Sequence, residues 1–548
     1  MRQAAQKGRA FFSSRMKCRI RSMLNLPAEV VVAATPDHMT DLPRASASPL
    51  VPADRYRSYA RKALVLIGLL SLFRLLLAFG LELGNDEAYY WMYSQHLKSN
   101  YFDHPPMVAL LIRLSTFNGI LQGAGWLRLG AVAGGAAAAW LLFRAVSELH
   151  SPRAGLYTSV LYLSSFYAGL TAGVYIMPDS PQMIFWTAAL WMLVRIDADE
   201  RNWRNWLLFG LCAGLAILSK VHAGFLWIGL GAYILLHRRQ WLRLPQLYAA
   251  AAITAVLLTP IVVWNIQNDF ITYRFHSRRV TVDHFDLRFS YMLKEAIGQL
   301  VFNNPVNVAL IIGALWRWKR LPAETKGVLS LFCWIALPHA AFLLAVSLFR
   351  DTTLPHWSGP AYVTLLPLAA VMLAGASRRR FLPRAVLAAA GLYLSVLTGW
   401  WLTVHFYPGT YGRRDPATLG TGDISLDLYG WELAGKAFGA QYRAAVDAGA
   451  VPAGTPVVAS YWWGAHVEYY FCRPSGIAFQ ALGPIPDVRE YHWRNRGLPV
   501  PQRAFCILAS DEAYGLPKGF RQTNAQYRIE VSRGGKPAHA FTVYLLTR

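Results

Sequence analysis

The stretch Asn85-Asp86-Glu87-Ala88-Tyr89-Tyr90-Trp91, followed by Asn100-Tyr101-Phe102-Asp103-His104-Pro105-Pro106, sets three carboxylates and a histidine among aromatics just after a long apolar segment. Ionisable groups at a membrane boundary are costly to desolvate, so they point to function. Asp86 and Glu87 also suit the N-cap and first turn of a following helix, and the aromatics suit an interfacial belt. A second acid, Asp179, stands in Met177-Pro178-Asp179-Ser180-Pro181, where two prolines fix a turn that brings a carboxylate to a helix end. Alone, capping explains it. Basic groups follow in Ser219-Lys220-Val221-His222 and in Arg350-Asp351-Thr352-Thr353-Leu354-Pro355-His356-Trp357. Snorkelling explains any one of these cations, but it explains less well why acids and bases collect in one layer. A carboxylate there can take a proton, and lysine, arginine and histidine can hold a departing phosphate. Asp86, Asp103 and His104 also offer oxygen and nitrogen ligands for a divalent metal, a point the sequence leaves open. No Walker loop or Rossmann glycine fingerprint occurs, so a nucleotide donor is not supported.

The elements that position these groups follow from composition. Of 548 residues, 55% are hydrophobic and only 15% charged, well below the roughly 25% of a soluble protein. Mean hydropathy is +0.27 and the apolar residues run in long blocks. These features exclude a disordered, collagen-like or disulfide-scaffold chain and specify a polytopic α-helical membrane protein. A spanning helix needs about 20 apolar residues, which predicts about eleven spans. They fall near Leu64–Leu83, Trp126–Ser147, Ala154–Tyr175, Pro181–Val194, Trp206–Ser219 and Ala223–Leu236. The remainder fall near Gln246–Trp264, Pro305–Trp316, Val328–Phe349, Pro360–Ala376 and Ala385–Val404.

Basic loops stay in the cytoplasm. Arg2 to Arg21, Arg195/Arg201/Arg204, Arg238/Arg239/Arg243, Arg317/Lys319/Arg320 and Arg378 to Arg384 all fall on one predicted side. The N-terminus is therefore expected inside, with the acidic and basic motifs outside. Much of the net charge of +24 is a topological signal, and a nucleic-acid partner is not expected. Residues 1–62 read as a basic, disordered cytoplasmic tail, 63–405 as the membrane domain with its key outer loop at 84–125, and 406–548 as a small α/β domain on the outer face. In that domain Pro456–Tyr461, Val467–Cys472, Phe505–Ala509 and Phe541–Leu545 look like strands and Leu433–Ala448 like a helix. Cys472 and Cys506 suit either a disulfide or two buried thiols.

The quoted strings, with Tyr101-Phe102-Asp103-His104-Pro105-Pro106-Met107, Pro178-Asp179-Ser180, Ser219-Lys220 and Leu354-Pro355-His356-Trp357, resemble the membrane-embedded C-type glycosyltransferases. The branch resembled is the dolichyl-phosphate-mannose-protein mannosyltransferase group, which includes the bacterial aminoarabinose transferases acting on lipid A. The resemblance covers about residues 62–405. The outer domain is similar only loosely, through the stretches 427–434 and 461–471. It implies an enzyme of the bacterial inner (plasma) membrane that moves a sugar, with inversion, from a polyprenyl-phosphate carrier to a hydroxyl of a lipid, glycan or protein acceptor outside. By position, Asp86 corresponds to the catalytic base, Asp179 to the second acid, Asp103 to the acidic position before the proline pair, and Lys220 to the lysine near the carrier phosphate. Glu87, Tyr89, Tyr90, His104, His222, Arg350 and His356 complete the expected substrate-binding layer. Asp103-His104 stands where the lipid A branch has Glu-Lys, which argues against aminoarabinose, and Val221-His222 replaces the usual Gly-Pro. The other reading is a transporter or flippase for a lipid-linked sugar, which predicts charges spread through the membrane depth and internal repeats. No repeat is visible in the sequence.

Overall fold

The computed structural model describes residues 52–281, 286–376, 381–510 and 515–548. The tail expected over 1–62 lies outside the described residues as far as residue 51, and its last part is not tail: the first helix, α1, already begins at Ala53 and runs to Gly80. Its buried positions Ala63, Ile67, Leu70, Arg74 and Leu77 recur at helical spacing, while Leu64, Leu69, Leu72 and Leu76 stay exposed. In a bilayer the solvent is itself apolar, so an outward row of leucines is at no disadvantage.

After α1 come two short helices, α2 (Asn85–Gln95) and α3 (Met107–Ser115), and then α4 (Ala124–Leu149), α5 (Pro152–Ser164), α6 (Asp179–Ala198), α7 (Trp203–Ser219) and α8 (Phe225–His237). They are followed by α9 (Pro245–Gln267), α10 (Ile271–Val280), α11 (Phe289–Phe302), α12 (Pro305–Trp316), α13 (Lys326–Ser347), α14 (Gly359–Ala376) and α15 (Arg384–Phe406). Each expected span overlaps a helix, although the one expected at Ala154–Tyr175 is α-helical only to Ser164. Among the described residues, however, length and composition qualify only six as span candidates, or seven if α11 and α12, bent by 100°, form one. The shortfall has local causes. Helix α5 stops at Ser164 and gives way to a π turn at Tyr167–Thr171, and α7 is broken from α8 at Lys220. Both interruptions lie where charged groups are placed.

Close backbone approach holds the bundle together. A Cβ on Gly210 would lie 2.3 Å from the Ala250 carbonyl oxygen, and one on Gly229 would lie 2.4 Å from the Ile335 Cα. Small residues thus bring α7 to α9 and α8 to α13. Arg74, fully buried in α1, donates to the Leu163 carbonyl (2.7 Å) and to the Tyr393 hydroxyl (3.2 Å), which donates in turn to Gly169 of the π turn (2.9 Å). A charge that sequence reasoning passed over therefore fixes the turn that carries Tyr167.

The C-terminal domain packs α16 (Trp431–Asp447) on a five-stranded sheet of order β2-β1-β3-β5-β4: β1 (Val457–Ala459), β2 (Phe479–Ala481), β3 (Arg503–Ala509), β4 (Arg521–Arg533) and β5 (Lys536–Thr547). β1 pairs in parallel with β2 and β3; β5 pairs antiparallel with β3 and β4. The expected strand at Val467–Cys472 is instead helical: Gly464–Val467 is α and Glu468–Cys472 is a π turn. Every residue of that run is buried, and a short, wholly buried apolar run carries no period to separate strand from helix. It packs against Gly435, whose added Cβ would meet the Tyr470 carbonyl at 2.1 Å. Cys472 and Cys506 are buried thiols not joined in a disulfide.

Candidate active site

A cavity of about 440 Å³ lies where α2, the 103–104 loop, the start of α6, the Lys220 break, α10, α13 and the 354–357 turn converge. That volume suits a sugar phosphate. It is lined by Asp86, Tyr90, Asp103, His104, Asp179, Lys220, His222 and His356, eight of the eleven residues singled out in the sequence.

The adjacent acids Asp86 and Glu87 have opposite fates. Glu87 is buried. Its carboxylate accepts from the Gly84 amide (2.9 Å) and the Ile176 amide (2.9 Å), and it is paired with Arg128, whose Nε lies 2.7 Å from Oε1 and whose Nη2 lies 2.5 Å from Oε2. It caps α2 and ties that helix to α4, so the expected substrate contact is corrected to a structural one. Removing one partner of a buried ion pair leaves an uncompensated charge and costs about 3–5 kcal/mol. Arg128→Met is therefore expected to lower stability by about that amount, read as an earlier denaturation midpoint, and Arg128→Met with Glu87→Gln is expected to recover most of it.

Asp86, one residue earlier on α2, faces the cavity. No hydrogen bond from a described residue reaches its carboxylate. It is open to the cavity yet walled by protein, and this desolvation lifts its pKa to about 6, against the opposing pull of Arg489 and with further lift from Asp103 and Glu87. An unbonded carboxylate with that affinity for protons is suited to general-base work near neutral pH.

Asp179 is wholly buried and fully committed. Its Oδ2 accepts from the Lys220 ammonium at 2.8 Å, and its Oδ1 accepts from the Tyr167 hydroxyl at 2.9 Å. The prolines at 178 and 181 start α6 there, so the expected fixed turn is present. Its geometry makes it the holder of Lys220 rather than a second free base. Lys220 has extended backbone (φ −156°, ψ 125°), which turns its side chain inward between α7 and the following 3-10 turn.

Asp103 is held by the Tyr93 hydroxyl and by Arg489 Nη1 (3.2 Å), and its carbonyl accepts from His276 Nε2 at 2.7 Å. With its carboxylate so occupied, Asp103 does not join Asp86 and His104 as a ligand set. Among the described residues, no group of three or more His, Cys, Asp or Glu side chains is placed to hold a metal. Burial, reinforced by His276 and Lys220, keeps His104 well below the ordinary imidazole range, so it is neutral.

Tyr89 and Arg350 lie outside the cavity lining. The Tyr89 hydroxyl accepts from the Glu490 amide at 3.1 Å, and Arg350 donates to the Thr281 carbonyl at 2.6 Å. Tyr89 is fully buried because the C-terminal domain covers that face of α2. Arg350 instead joins the segment after α13 to the end of α10.

Sequence reasoning missed His276 and Arg279 on α10, His339 on α13, and Arg489 in the C-terminal domain, all of which line the cavity. The run Phe275-His276-Ser277-Arg278-Arg279 carried a usable signal, since its arginines fall on the expected outer side, against the positive-inside bias. Arg489 carried none. It sits after a single helical turn with φ +50° and ψ −125°, a region that costs a residue with a Cβ about 1–3 kcal/mol. Next to it, Glu490 pairs with Lys98 (2.6 Å) and accepts from the Phe102 amide (2.9 Å), clasping the loop that bears Asp103 and His104. Burial outweighs the Lys98 ammonium and raises Glu490 to about 7. Above that pH the Glu490 charge is present to grip Lys98.

The rim is apolar and open: Phe342, Tyr273 and Leu354 line the cavity while remaining about two-fifths exposed. The cavity thus joins a polar, charged floor to an exposed apolar mouth.

Comparison with known proteins agrees with the resemblance seen in the sequence. Residues 103–264 match the family described as dolichyl-phosphate-mannose-protein mannosyltransferase, a segment that includes Asp103, His104, Asp179, Lys220 and His222. The chain is 25% identical over 288 residues to the lipid A galacturonosyltransferase RgtD of Rhizobium johnstonii, an alignment covering 53% of this chain and 60% of that protein. The matched part thus spans about three-fifths of the relative's length. Crystal structures of ArnT from Cupriavidus metallidurans, one bound to undecaprenyl phosphate and one in the apo state, share the fold with TM-scores of 0.58 at 14% identity. They cover 87% and 88% of this chain and 97% and 98% of those chains.

Proposed function

We propose that this chain is a membrane glycosyltransferase that moves a sugar from a polyprenyl-phosphate carrier to an acceptor hydroxyl, with inversion at the anomeric carbon. One observation carries the reading: an unbonded carboxylate, Asp86, and a buried ammonium, Lys220 held by Asp179, line the same cavity beneath an apolar mouth. The carrier's tail lies in the bilayer and its sugar phosphate in the cavity. Asp86 takes the proton of the acceptor hydroxyl as that oxygen bonds to the anomeric carbon. The bond from that carbon to the phosphate oxygen breaks, and the phosphate leaves with the electron pair. Lys220 and Arg279 offset the charge that develops on it. A base on one face of the sugar and the leaving phosphate on the other give inversion in a single displacement.

The undecaprenyl phosphate named with one ArnT structure supports a polyprenyl-phosphate carrier, and the lipid A named for RgtD makes a lipid acceptor the first to test. The neutral His104 in this cavity suits hydroxyl recognition. The membrane is a bacterial inner membrane, with the cavity and the C-terminal domain on its outer side. The test is reconstitution of the purified chain with polyprenyl-phosphate sugars and an envelope lipid fraction, with products read by mass spectrometry. A sugar-bearing acceptor and free polyprenyl phosphate in equal amounts are expected. Movement of the carrier across the bilayer with no new glycosidic product would instead establish the flippase reading.

A further inference from the structure

Two helix starts meet where the membrane domain joins the C-terminal domain, and they exchange caps. Helix α2, which carries Asp86 in its first turn, begins after Gly84, and α16 begins after Gly430. Neither glycine has a side chain to offer the unpaired amides that open a helix. Each helix instead takes an acceptor from the segment that leads into the other. Asp427 accepts from the Asn85 amide, 342 positions away, at 3.2 Å to Oδ1. Glu82 accepts from the amides of Trp431 (2.8 Å) and Glu432 (3.4 Å). Gly84 leaves room for this exchange, since a Cβ there would lie 2.8 Å from Asp427 Oδ2. Leu83 is held on both sides of its backbone. Its amide donates to the Tyr470 hydroxyl (2.5 Å), and its carbonyl accepts from His466 Nε2 (2.8 Å), which places a proton on that nitrogen. His466 Nδ1 in turn lies 3.9 Å from Asp427 Oδ1. The C-terminal domain thus grips Glu82, Leu83 and Asn85, the residues just ahead of the base.

We propose that the C-terminal domain positions the base: Asp427, by capping α2, sets the direction in which that helix leaves the anchored Leu83, and with it the place of Asp86 in the cavity. The inference rests on the transferase reading above. No hydrogen bond from a described residue holds the Asp86 carboxylate, so its position is inherited from the backbone of the first turn of α2. The two bonds to Leu83 fix one point of the chain and leave it a pivot. A second tie is needed to stop the helix swinging about that pivot, and the bond from the Asn85 amide to Asp427 supplies it. Reaction requires the base and the acceptor oxygen to be aligned closely, and a displacement of about 1 Å can cost about 100-fold in rate. Asp427 does not line the cavity, so it is a positioning residue that acts through α2.

The test measures transfer, melting and hydrogen exchange in the full-length protein in nanodiscs. Asp427→Ala is expected to lower kcat by about 10–100-fold. KM for the polyprenyl-phosphate sugar should change by less than about twofold, because the cavity lining is untouched. Asp427→Asn, whose side-chain oxygen caps a helix as well as a carboxylate does, is expected to bring kcat back to within about threefold of the wild type. A second variant separates positioning from capping alone. Gly84→Ser with Asp427→Ala gives α2 a local cap in the room that the shortened side chain vacates. Its melting temperature should return close to that of the wild type while kcat stays low, since no tie to the C-terminal domain is rebuilt. This variant also carries the test if Asp427→Ala folds poorly. The proposal is overturned by an unchanged kcat in Asp427→Ala, by a loss that falls on KM alone, by failure of Asp427→Asn to restore the rate, or by recovery of kcat together with melting in the double variant. Hydrogen exchange at residues 83–88 should rise in Asp427→Ala independently of any turnover. If that rise is seen but the wild type transfers no sugar, it is the transferase reading that fails, and the assignment of Asp427 to a base falls with it.

Discussion

Asp86→Asn is expected to lower sugar transfer by about 10²–10⁴, the range of a general base, while carrier binding is retained. The amide keeps the size of the side chain but cannot accept the acceptor's proton. In the wild type, Asp86 must be ionised to act, and its pKa stands near 6. The rate should therefore be level above about pH 7 and fall tenfold for each unit below about pH 5.5. The same residue makes a prediction about stability. Its carboxyl is raised in the folded protein relative to the ordinary value of 3.8, so ionisation works against folding. That contribution to stability is fully present below pH 3.8 and is lost as the pH rises through about 6. At pH 7.5 the asparagine variant should therefore melt no lower than the wild type, and the difference should shrink toward pH 4. The charges that act on Asp86 from its surroundings are Arg489, Asp103, Glu87 and Lys220. A pH profile lacking the acid limb, or transfer retained by the asparagine variant, would remove Asp86 from the chemistry.

The second large effect is expected at Lys220. Lys220→Met withdraws an electrostatic stabiliser of the leaving phosphate, with a loss of about 10²–10³ in kcat. It also strands Asp179, fully buried with only the Tyr167 hydroxyl left as donor, at a stability cost of about 3–5 kcal/mol. The two consequences separate in the double variant Lys220→Met with Asp179→Asn. With no buried charge left over, its denaturation midpoint should return close to that of the wild type, whereas transfer should stay at the level of the single variant. Recovery of transfer together with stability would show that Lys220 acts only as a structural partner of Asp179. Binding of polyprenyl phosphate, followed by native mass spectrometry, should weaken in both variants, because the ammonium is missing from each.

The single-variant results at Asp86 and Glu87 should look nothing alike, although the two residues are neighbours of the same chemical type. Glu87 loses its freedom to Arg128, 41 positions away, and to the Ile176 amide, 89 positions away. No local pattern distinguishes it from Asp86. The helical periodicity of α2 turns one carboxylate to the cavity and the other to α4, but which face meets which partner depends on packing. Asp179 is a similar case. Its place at a helix start was legible from the flanking prolines, whereas its role as the anchor of Lys220 was not.

The sequence by itself determined the helices and the chemistry on offer. Apolar runs are local, one-dimensional features that report directly on burial in lipid, and each expected span overlaps a helix. Asp86, Asp103, His104, Asp179, Lys220, His222 and His356 were visible because charged or polar groups beside such runs are costly and therefore conspicuous. Tertiary structure decided which of these groups are free and which are already paired, and it brought in what the sequence could not place. Arg489 meets Asp103 across 386 positions, and the all-buried 464–472 segment folds as helix because it packs on α16 rather than because of any period of its own. Pairing and solvation depend on three-dimensional neighbours, and a single chain does not record those neighbours in its order.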